Sequence, residues 1–261
     1  MESNCSNCNA VIDGNFCSSC GQKKYNRIDK KYIWDEIQYT LLHANKGLLY
    51  SVKSIIKNPG KTAREFVEGK RIKHYKPILL VFLLSGISAF ISFKLVGFKE
   101  LIQEVYSQKG MYSDFMGEAL SFFASYSSFT MLCLIPVFAI FSRIAFRKWG
   151  HNYYEHVVMN AYIISFYALI EIIVLYPLMY FAKNNIGIIE ILHFLSFIVI
   201  PISLVWFYKG FYKGRKLKSV ILKVLLFMLL VFVAYILSVC IYVFLYMGIY
   251  GEEAIQRLQF G

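Results

Sequence analysis

The chain has 261 residues, of which 57% are hydrophobic and 18% aromatic, while only 17% are charged. This composition excludes an ordinary soluble domain, because soluble domains carry more charged residues and fewer aromatic ones. The net charge of +12 does not indicate a nucleic-acid-binding protein, because most basic residues flank long apolar runs, where anionic lipid headgroups are the expected counter-ions.

Two cysteine pairs stand near the N-terminus, each with two residues between the cysteines, and Gly21 follows the second pair. Two such pairs can hold one Zn²⁺ between four thiolates at about 2.3 Å, and a glycine permits the tight turn that such a site needs. A segment this short has no hydrophobic core, so bound metal would supply its folding energy. Residues 1–24 are therefore predicted to form a zinc-ribbon-like head with structural zinc. The predicted ligands are Cys5, Cys8, Cys17 and Cys20.

Other uses of these cysteines are less consistent with the pattern. Disulfides are not expected, because the head is predicted below to lie on the cytoplasmic side of the membrane, which is reducing. A redox cysteine pair normally occurs once, at the start of a helix in a larger domain, and iron–sulfur clusters use different spacings as a rule. Four thiolates around zinc leave no open position, which argues against a catalytic metal.

Residues 28–76 are predicted to form amphipathic cytoplasmic helices. Apolar residues from Ile33 to Ile55 recur at steps of three and four, which is typical of a helix with one apolar face. Two interpretations of this helix stay open. It either lies on the inner leaflet with its basic face toward the headgroups, or packs against the base of the membrane bundle.

Asn58-Pro59-Gly60 is predicted to end this helix. Thr62 and Glu65 have the spacing of a capping box for a short second helix, and Gly69 is predicted to stop it. A basic segment then precedes the first apolar run. Its candidate phosphate-contacting residues are Lys70, Arg71 and Lys73, although a generic anchor on the cytoplasmic side would have the same composition.

The rest of the chain is predicted to cross a membrane about five times. A bilayer core about 30 Å thick needs roughly 20 mostly apolar residues per helix. The first apolar run reaches this length if the Lys94 side chain extends toward the membrane interface. The third run reaches it if Glu171 is tolerated inside the membrane. Four spans remain an alternative if one pair forms a re-entrant hairpin. The predicted spans are 77–98, 119–142, 157–182, 188–208 and 223–248, within a bundle at 77–251 that a short tail at 252–261 follows.

The distribution of Lys and Arg predicts the orientation. Of these 28 residues, 23 lie in the head and in the segments after spans two and four, and five lie on the other side. Cytoplasmic segments carry the excess of Lys and Arg. The N-terminus lacks the pattern of a signal peptide, so the first span is expected to direct insertion. The N-terminus is therefore predicted to be cytoplasmic and the C-terminal tail external.

A few polar residues inside the spans are candidates for function, because polar groups are costly in a membrane. Glu171 is the deepest, and Glu190 with His193 begins span four at the same face. These three residues are a candidate intramembrane site for a proton or a cation; the alternative is that Glu171 only fixes helix packing. Glu155 and His156 at the start of span three are either metal ligands or interfacial anchors.

Three motifs in order along the chain resemble a bacterial family of inner-membrane proteins of unknown function. The resemblance implies a zinc-ribbon head on a multi-span body in the inner membrane, and it implies no activity. The motifs are Cys5-x2-Cys8 with Phe16-Cys17-x2-Cys20-Gly21-Gln22, Pro59-Gly60 with Gly69-Lys70-Arg71-x3-Tyr75-x-Pro77, and Asn152-Tyr153-x-Glu155-His156.

The sequence contains none of the common catalytic motifs: no HExxH, GxSxG, Walker A or Rossmann fingerprint. Nor do its halves show the inverted repeat of many transporters. The fold prediction is an all-α polytopic membrane protein with a small metal-binding head. The leading functional hypothesis is a non-enzymatic adaptor or regulatory protein that recruits a cytoplasmic protein or senses a lipid or metal. A small transporter or channel-like protein using Glu171 and His193 is the alternative, and an envelope enzyme is the third.

Overall fold

The computed structural model describes residues 3–24, 28–30, 32–33, 47–110 and 114–250. Two predicted features lie outside these residues: the middle of the first amphipathic helix, at 34–46, and the tail at 252–261. The described chain is almost entirely helical. Two short strands are β1 Ser3–Asn4 and β2 Val11–Ile12, and the helices are α1 Leu48–Lys57, α2 Pro59–Val67, α3 Pro77–Phe90, α4 Phe98–Gln108, α5 Asp114–Phe146, α6 Tyr153–Ile170, α7 Tyr176–Ala182, α8 Ile186–Phe211 and α9 Leu217–Tyr250.

Within the described residues, five helical stretches are long and apolar enough to cross a membrane, as the apolar runs predicted. Most described side chains of α9 are exposed, although the helix is strongly apolar, which is the pattern expected of a helix that faces lipid. The five stretches are Pro77–Val96, Ser125–Trp149, Tyr153–Ala182, Ile186–Phe211 and Leu217–Tyr246.

Two of these stretches contain a π-helical segment. Ile91–Val96 extends α3, and Glu171–Leu175 joins α6 to α7. In the second segment the N–H of Tyr176 donates to the carbonyl of Glu171, five residues back. Pro177 follows and has no N–H to donate, so the ordinary helical ladder is interrupted at this level. Glu171 therefore lies where the backbone of the third span departs from α-helical geometry.

The short helix α2 packs against the base of the bundle. A Cβ on Gly60 would lie 2.6 Å from the backbone N of Phe211 in α8, and closer still to the carbonyl oxygen of Phe207. The Arg64 Nη1 donates to the carbonyl of Gly210 at 3.1 Å, and Phe66 packs edge-on against Tyr162 of α6, with ring centroids 5.8 Å apart. For α2, the structure therefore supports packing against the bundle over an independent position on the leaflet.

The predicted capping box of α2 is wrong. Asn58 caps the helix, because its Oδ1 accepts a hydrogen bond from the Lys61 N–H at 2.9 Å. Thr62 lies inside the helix, where its hydroxyl donates to the Asn58 carbonyl at 2.9 Å. Pro59 at the first helical position starts the helix four residues earlier than a cap at Thr62 predicted. The predicted stop is confirmed, because Gly69 follows the end of α2 with a φ of +109°.

Candidate functional site

The two cysteine pairs of the head adopt the same backbone turn twice. In the first, the Asn9 N–H donates to the Cys5 carbonyl at 2.8 Å, and in the second the Gly21 N–H donates to the Cys17 carbonyl at 2.8 Å. Both donors have left-handed backbone angles, with φ of 62° at Asn9 and 71° at Gly21. The predicted turn at Gly21 is confirmed. Asn9, which the motif analysis missed, does the same at the first turn, as asparagine tolerates this conformation better than most residues.

These turns bring the four cysteine sulfurs together. All four lie within 4.8 Å of one another; the Cys8 and Cys17 sulfurs are 3.5 Å apart, and those of Cys5 and Cys20 are 3.6 Å apart. A tetrahedral site with metal–sulfur bonds of about 2.3 Å would place its sulfurs about 3.8 Å apart. The predicted ligand set therefore forms one site whose dimensions fit a single tetrahedral metal ion. In the part of the chain that the structure describes, these four cysteines are the group of three or more potential metal ligands that lie close enough together to hold an ion.

Hydrogen bonds prepare one of the sulfurs for metal. The backbone N–H of Gln22, followed by the side chain of Asn7, lowers the pKa of Cys20 to about 6. At Cys8 the Ala10 backbone acts in the same direction, but the neighbouring thiols of Cys20 and Cys17 raise its pKa to about 12 on balance. The thiolate is the form that ligates metal, so the hydrogen bonds to Cys20 favour its ligating form.

Gln22 connects the head to the segment after α2 through hydrogen bonds of its side chain. Its side chain is buried, its Nε2 donates to the carbonyl of Gly69, and its Oε1 accepts from the Arg71 N–H at 3.3 Å. A Cβ on Gly69 would lie 3.0 Å from the Ser6 Oγ of the first cysteine turn. We call this contact, made by Gln22 with Gly69 and Arg71, the head clamp. It joins two motifs that lie 47 residues apart in the sequence.

Arg71 is not available for a lipid headgroup, so this part of the prediction is wrong. The residue is only 8% exposed. Its Nε donates to the Phe66 carbonyl at 3.0 Å, and its guanidinium lies 4.5 Å from the Tyr32 ring centroid. It thus neutralises the carbonyl end of α2. Lys70 and Lys73 are exposed, and Lys70 pairs with Glu65 at 3.5 Å.

The carboxylate of Glu171, within the third apolar helical stretch, accepts hydrogen bonds from two hydroxyls. Its Oε2 accepts from the Ser88 Oγ of α3 at 3.1 Å and from the Tyr176 hydroxyl at 3.2 Å. These two hydroxyl oxygens are 3.0 Å apart. The three side chains therefore form a closed triangle that joins the first and third spans.

The other two members of the predicted polar site lie apart from this triangle. Glu190 pairs with Lys109 at 2.7 Å. The His193 ring packs against the rings of Phe98 and Phe197, with centroids 6.1 Å and 5.2 Å away. Among the described contacts of Glu171 there is no hydrogen bond to His193, although both residues line one cavity. His193 and Glu171 thus line the same cavity, whereas Glu190 pairs with Lys109.

This cavity has a volume of about 350 Å³ and lies between α3, α5, α6 and α8. Besides Glu171 and His193, its polar lining consists of hydroxyl groups, most of which the sequence analysis did not single out. The available signal was the spacing of three serines at steps of three and four along α3, which places them on one helix face. The hydroxyl-bearing residues are Ser85, Ser88, Ser92, Ser127, Thr130, Tyr167, Tyr176 and Ser196.

A second polar group joins His156, which the sequence analysis named, to Ser142 and Asn160, which it did not. His156 Nδ1 lies 3.0 Å from the Ser142 Oγ, and the Asn160 Nδ2 donates to the same Oγ at 2.9 Å. All three side chains are buried. Glu155 instead completes a capping box with Asn152 at the start of α6. Glu155 and His156 therefore have different partners and do not form a joint metal site.

Comparison with known proteins gives a match between part of the chain and a family model. A family model described as "Protein of unknown function (DUF3667)" matches residues 45–89. The matched stretch includes α1, α2, the Gly69 and Arg71 of the head clamp, and most of α3. No curated protein and no solved structure matches the chain. The match agrees with the resemblance to a family of unknown function and assigns no activity.

Proposed function

We propose that this chain is a five-span protein of the bacterial inner membrane, with a cytoplasmic N-terminus and an external C-terminus. Its zinc-bound head acts as an adaptor or regulatory surface for a cytoplasmic protein. The observation that carries the proposal is the head clamp, because Gln22 fixes the metal-binding turns to the base of the bundle. A surface held in this way would keep a bound partner at a defined position beside the membrane.

Contacts between the basic segments support the orientation. The Asn152 Nδ2 donates to the Ile28 carbonyl at 2.8 Å, and the rings of Trp149 and Tyr212 lie 4.5 Å apart. The segments that precede span one and follow spans two and four therefore meet at one end of the bundle. Because these segments carry 23 of the 28 Lys and Arg residues, the positive-inside rule assigns this end to the cytoplasm.

The donor set supports zinc as the metal. Tetrahedral sites of four thiolates are typical of zinc, and a reducing cytoplasm would keep the cysteines from forming disulfides. Such an ion would stabilise the fold of the head and supply no reactive position. Among the described residues of the head, the buried apolar cluster consists of Cys5, Ile12 and Cys17, so metal ligation would replace a larger hydrophobic core.

Exposed apolar side chains on the head favour a protein partner. Val11 is 49% exposed and Phe16 is 61% exposed. Each is adjacent in sequence to a residue of the small buried cluster of the head. Removing such surface from water contributes about 25 cal/mol per Å². We therefore expect a cytoplasmic protein to cover Val11 and Phe16.

Purification of the intact protein in mild detergent tests this role. The expected result is a protein partner that remains bound to the wild type and to Glu171→Gln, but not to a variant with Val11→Ser and Phe16→Ser. Metal analysis of each sample verifies that the head is intact. A partner that survives the double substitution would contradict the assignment of this surface.

Reporter fusions test the orientation separately. Fusions at Lys23 and at the C-terminus should report opposite sides, and a fusion at Lys109 should agree with the C-terminus. If the two ends report the same side, the number of spans is even and the proposed topology is wrong.

The transporter hypothesis also has a specific observation in its favour, because Glu171 and His193 line one cavity within the apolar spans. The purification described above distinguishes the two functions. A bound ion or small molecule that is lost in Glu171→Gln, without a protein partner in the wild type, would favour transport.

A further inference from the structure

We propose that the cavity beside Glu171 binds a lipophilic organic ammonium ion. In this site, which we call the ammonium pocket, the Glu171 carboxylate supplies the counter-charge and the rings of Phe93, Phe98 and Phe197 contact the apolar part of the ligand. The proposal rests on the placement of the spans in the membrane but is independent of the adaptor role of the head.

The first step of the argument is charge. The carboxylate of Glu171 receives hydrogen bonds from Ser88 and Tyr176, both of which are neutral. Among the described residues that line the cavity there is no Lys or Arg. A carboxylate in an apolar environment is costly without an opposite charge. The His193 ring lines the same cavity, but no hydrogen bond joins it to Glu171 among the described contacts. A cationic ligand in the ammonium pocket would provide the opposite charge that Lys and Arg do not.

The second step is the direction of the hydroxyl groups. The hydroxyls of Ser85, Thr130 and Ser196 donate to carbonyls of their own helices, at 3.2 Å, 3.0 Å and 2.6 Å. Because each hydroxyl has one hydrogen, its remaining capacity is that of an acceptor. These three hydroxyls therefore present oxygen lone pairs to the ammonium pocket. Lone pairs attract a positively charged ligand and repel an anion.

The third step is the aromatic wall. The ring centroids of Phe93 and Phe98 are 6.3 Å apart, and the His193 ring continues the row between Phe98 and Phe197, at 6.1 Å and 5.2 Å. The faces of aromatic rings attract ammonium groups. The volume of about 350 Å³ far exceeds a bare metal ion and is at the small end of the range of roughly 300–1,000 Å³ for ligand sites. Size and lining together indicate an ammonium ion with one ring or a short apolar chain.

Equilibrium binding to the purified full-length protein tests the ammonium pocket. The probe is radiolabelled benzyltrimethylammonium, and the competitors are the unlabelled cation, NaCl, and the neutral alcohol benzyldimethylcarbinol, which has nearly the same shape. We expect saturable binding at one site per chain that the unlabelled cation displaces. The alcohol and an equal concentration of NaCl should not displace it, since the carboxylate selects charge and the rings select an organic ion.

Variants then assign the binding to Glu171. Glu171→Gln should weaken binding at least about tenfold, because a charge-assisted contact is lost. Glu190→Gln is the matched control, since Glu190 pairs with Lys109 outside this wall, and it should bind like the wild type. Elution volume and zinc content verify that both variants are folded.

Equal binding to wild type and Glu171→Gln would overturn the proposal, as would equal competition by the alcohol or by NaCl. The variant with Val11→Ser and Phe16→Ser should bind the probe normally. Loss of the protein partner with retained ammonium binding would therefore leave this inference intact, and the reverse result would leave the adaptor role intact.

Discussion

The contact between α2 and α8 can be tested by adding one methyl group, in Gly60→Ala. In a helix interior, alanine is more favourable than glycine by up to about 1 kcal/mol, so local propensity predicts a more stable protein. The structure predicts the opposite. The new Cβ would lie 2.6 Å from the Phe211 backbone N, and a backbone cannot rotate away as a flexible side chain can.

Overpacking of this kind costs typically about 1–3 kcal/mol. Moving α2 away to relieve it would also weaken the hydrogen bond from Arg64 to the Gly210 carbonyl and expose part of Phe66, which is 2% exposed. The cost of overpacking therefore exceeds the gain in propensity. We expect Gly60→Ala to lower the free energy of unfolding by at least about 1 kcal/mol.

Thermal unfolding in a fixed detergent measures this difference, with limited proteolysis between α2 and α3 as a local readout. Gly14→Ala is the matched control, because a Cβ on Gly14 would meet nothing within 4 Å, and it should leave the melting temperature unchanged. A Gly60→Ala protein as stable as the wild type, or more stable, would refute the close packing of α2 on α8.

Three further predictions concern the head and its attachment. The purified protein should contain close to one zinc per chain, and Cys17→Ser should lose it while Cys133→Ser in α5 should not; metal-free protein with its thiols intact would contradict the metal site. Gln22→Ala removes the two hydrogen bonds of the head clamp, at about 1–3 kcal/mol, so hydrogen exchange at the Arg71 amide should accelerate while zinc is retained, and Gln103→Ala, which is exposed on α4, should change neither. Burial lowers the pKa of His74, against a smaller opposing effect of Glu65, so the unfolded state binds the proton more strongly and stability should fall as the pH drops below about 6.5; His74→Gln should lose less stability than the wild type between about pH 7.5 and about pH 5.5, and equal losses would contradict this assignment.

The parts of the fold that could be predicted from the sequence are those with a local physical cause. Apolar runs of sufficient length predicted five membrane-compatible helices, and cysteine spacing predicted which four sulfurs lie together. The ends of the individual spans were predicted less accurately than their number. The second span was predicted to end at residue 142, whereas its helical stretch continues to Trp149, because basic side chains such as Arg143 can extend to the interface without ending the helix.

The parts that could not be predicted depend on contacts between distant segments. Gly60 was predicted to break a helix, yet its main role is to let two helices approach each other. Arg71 stands in a basic segment, and only the fold shows that it is buried against the end of α2. The serines of α3 gave no strong signal either, since a hydroxyl that donates to its own helix is inexpensive within an apolar run.

The arrangement around Glu171 also shows why a structural and a functional role are compatible. One carboxylate oxygen, Oε2, accepts both hydrogen bonds, from Ser88 and from Tyr176. A carboxylate has a second oxygen and further lone pairs, so the helix-joining triangle does not exhaust the acceptor capacity of Glu171. The same residue can therefore hold the first and third spans together and still interact with a cation in the cavity. In Glu171→Gln the amide oxygen can keep the two hydrogen bonds, whereas the charge is lost. This substitution separates the structural role of Glu171 from its role as a counter-charge.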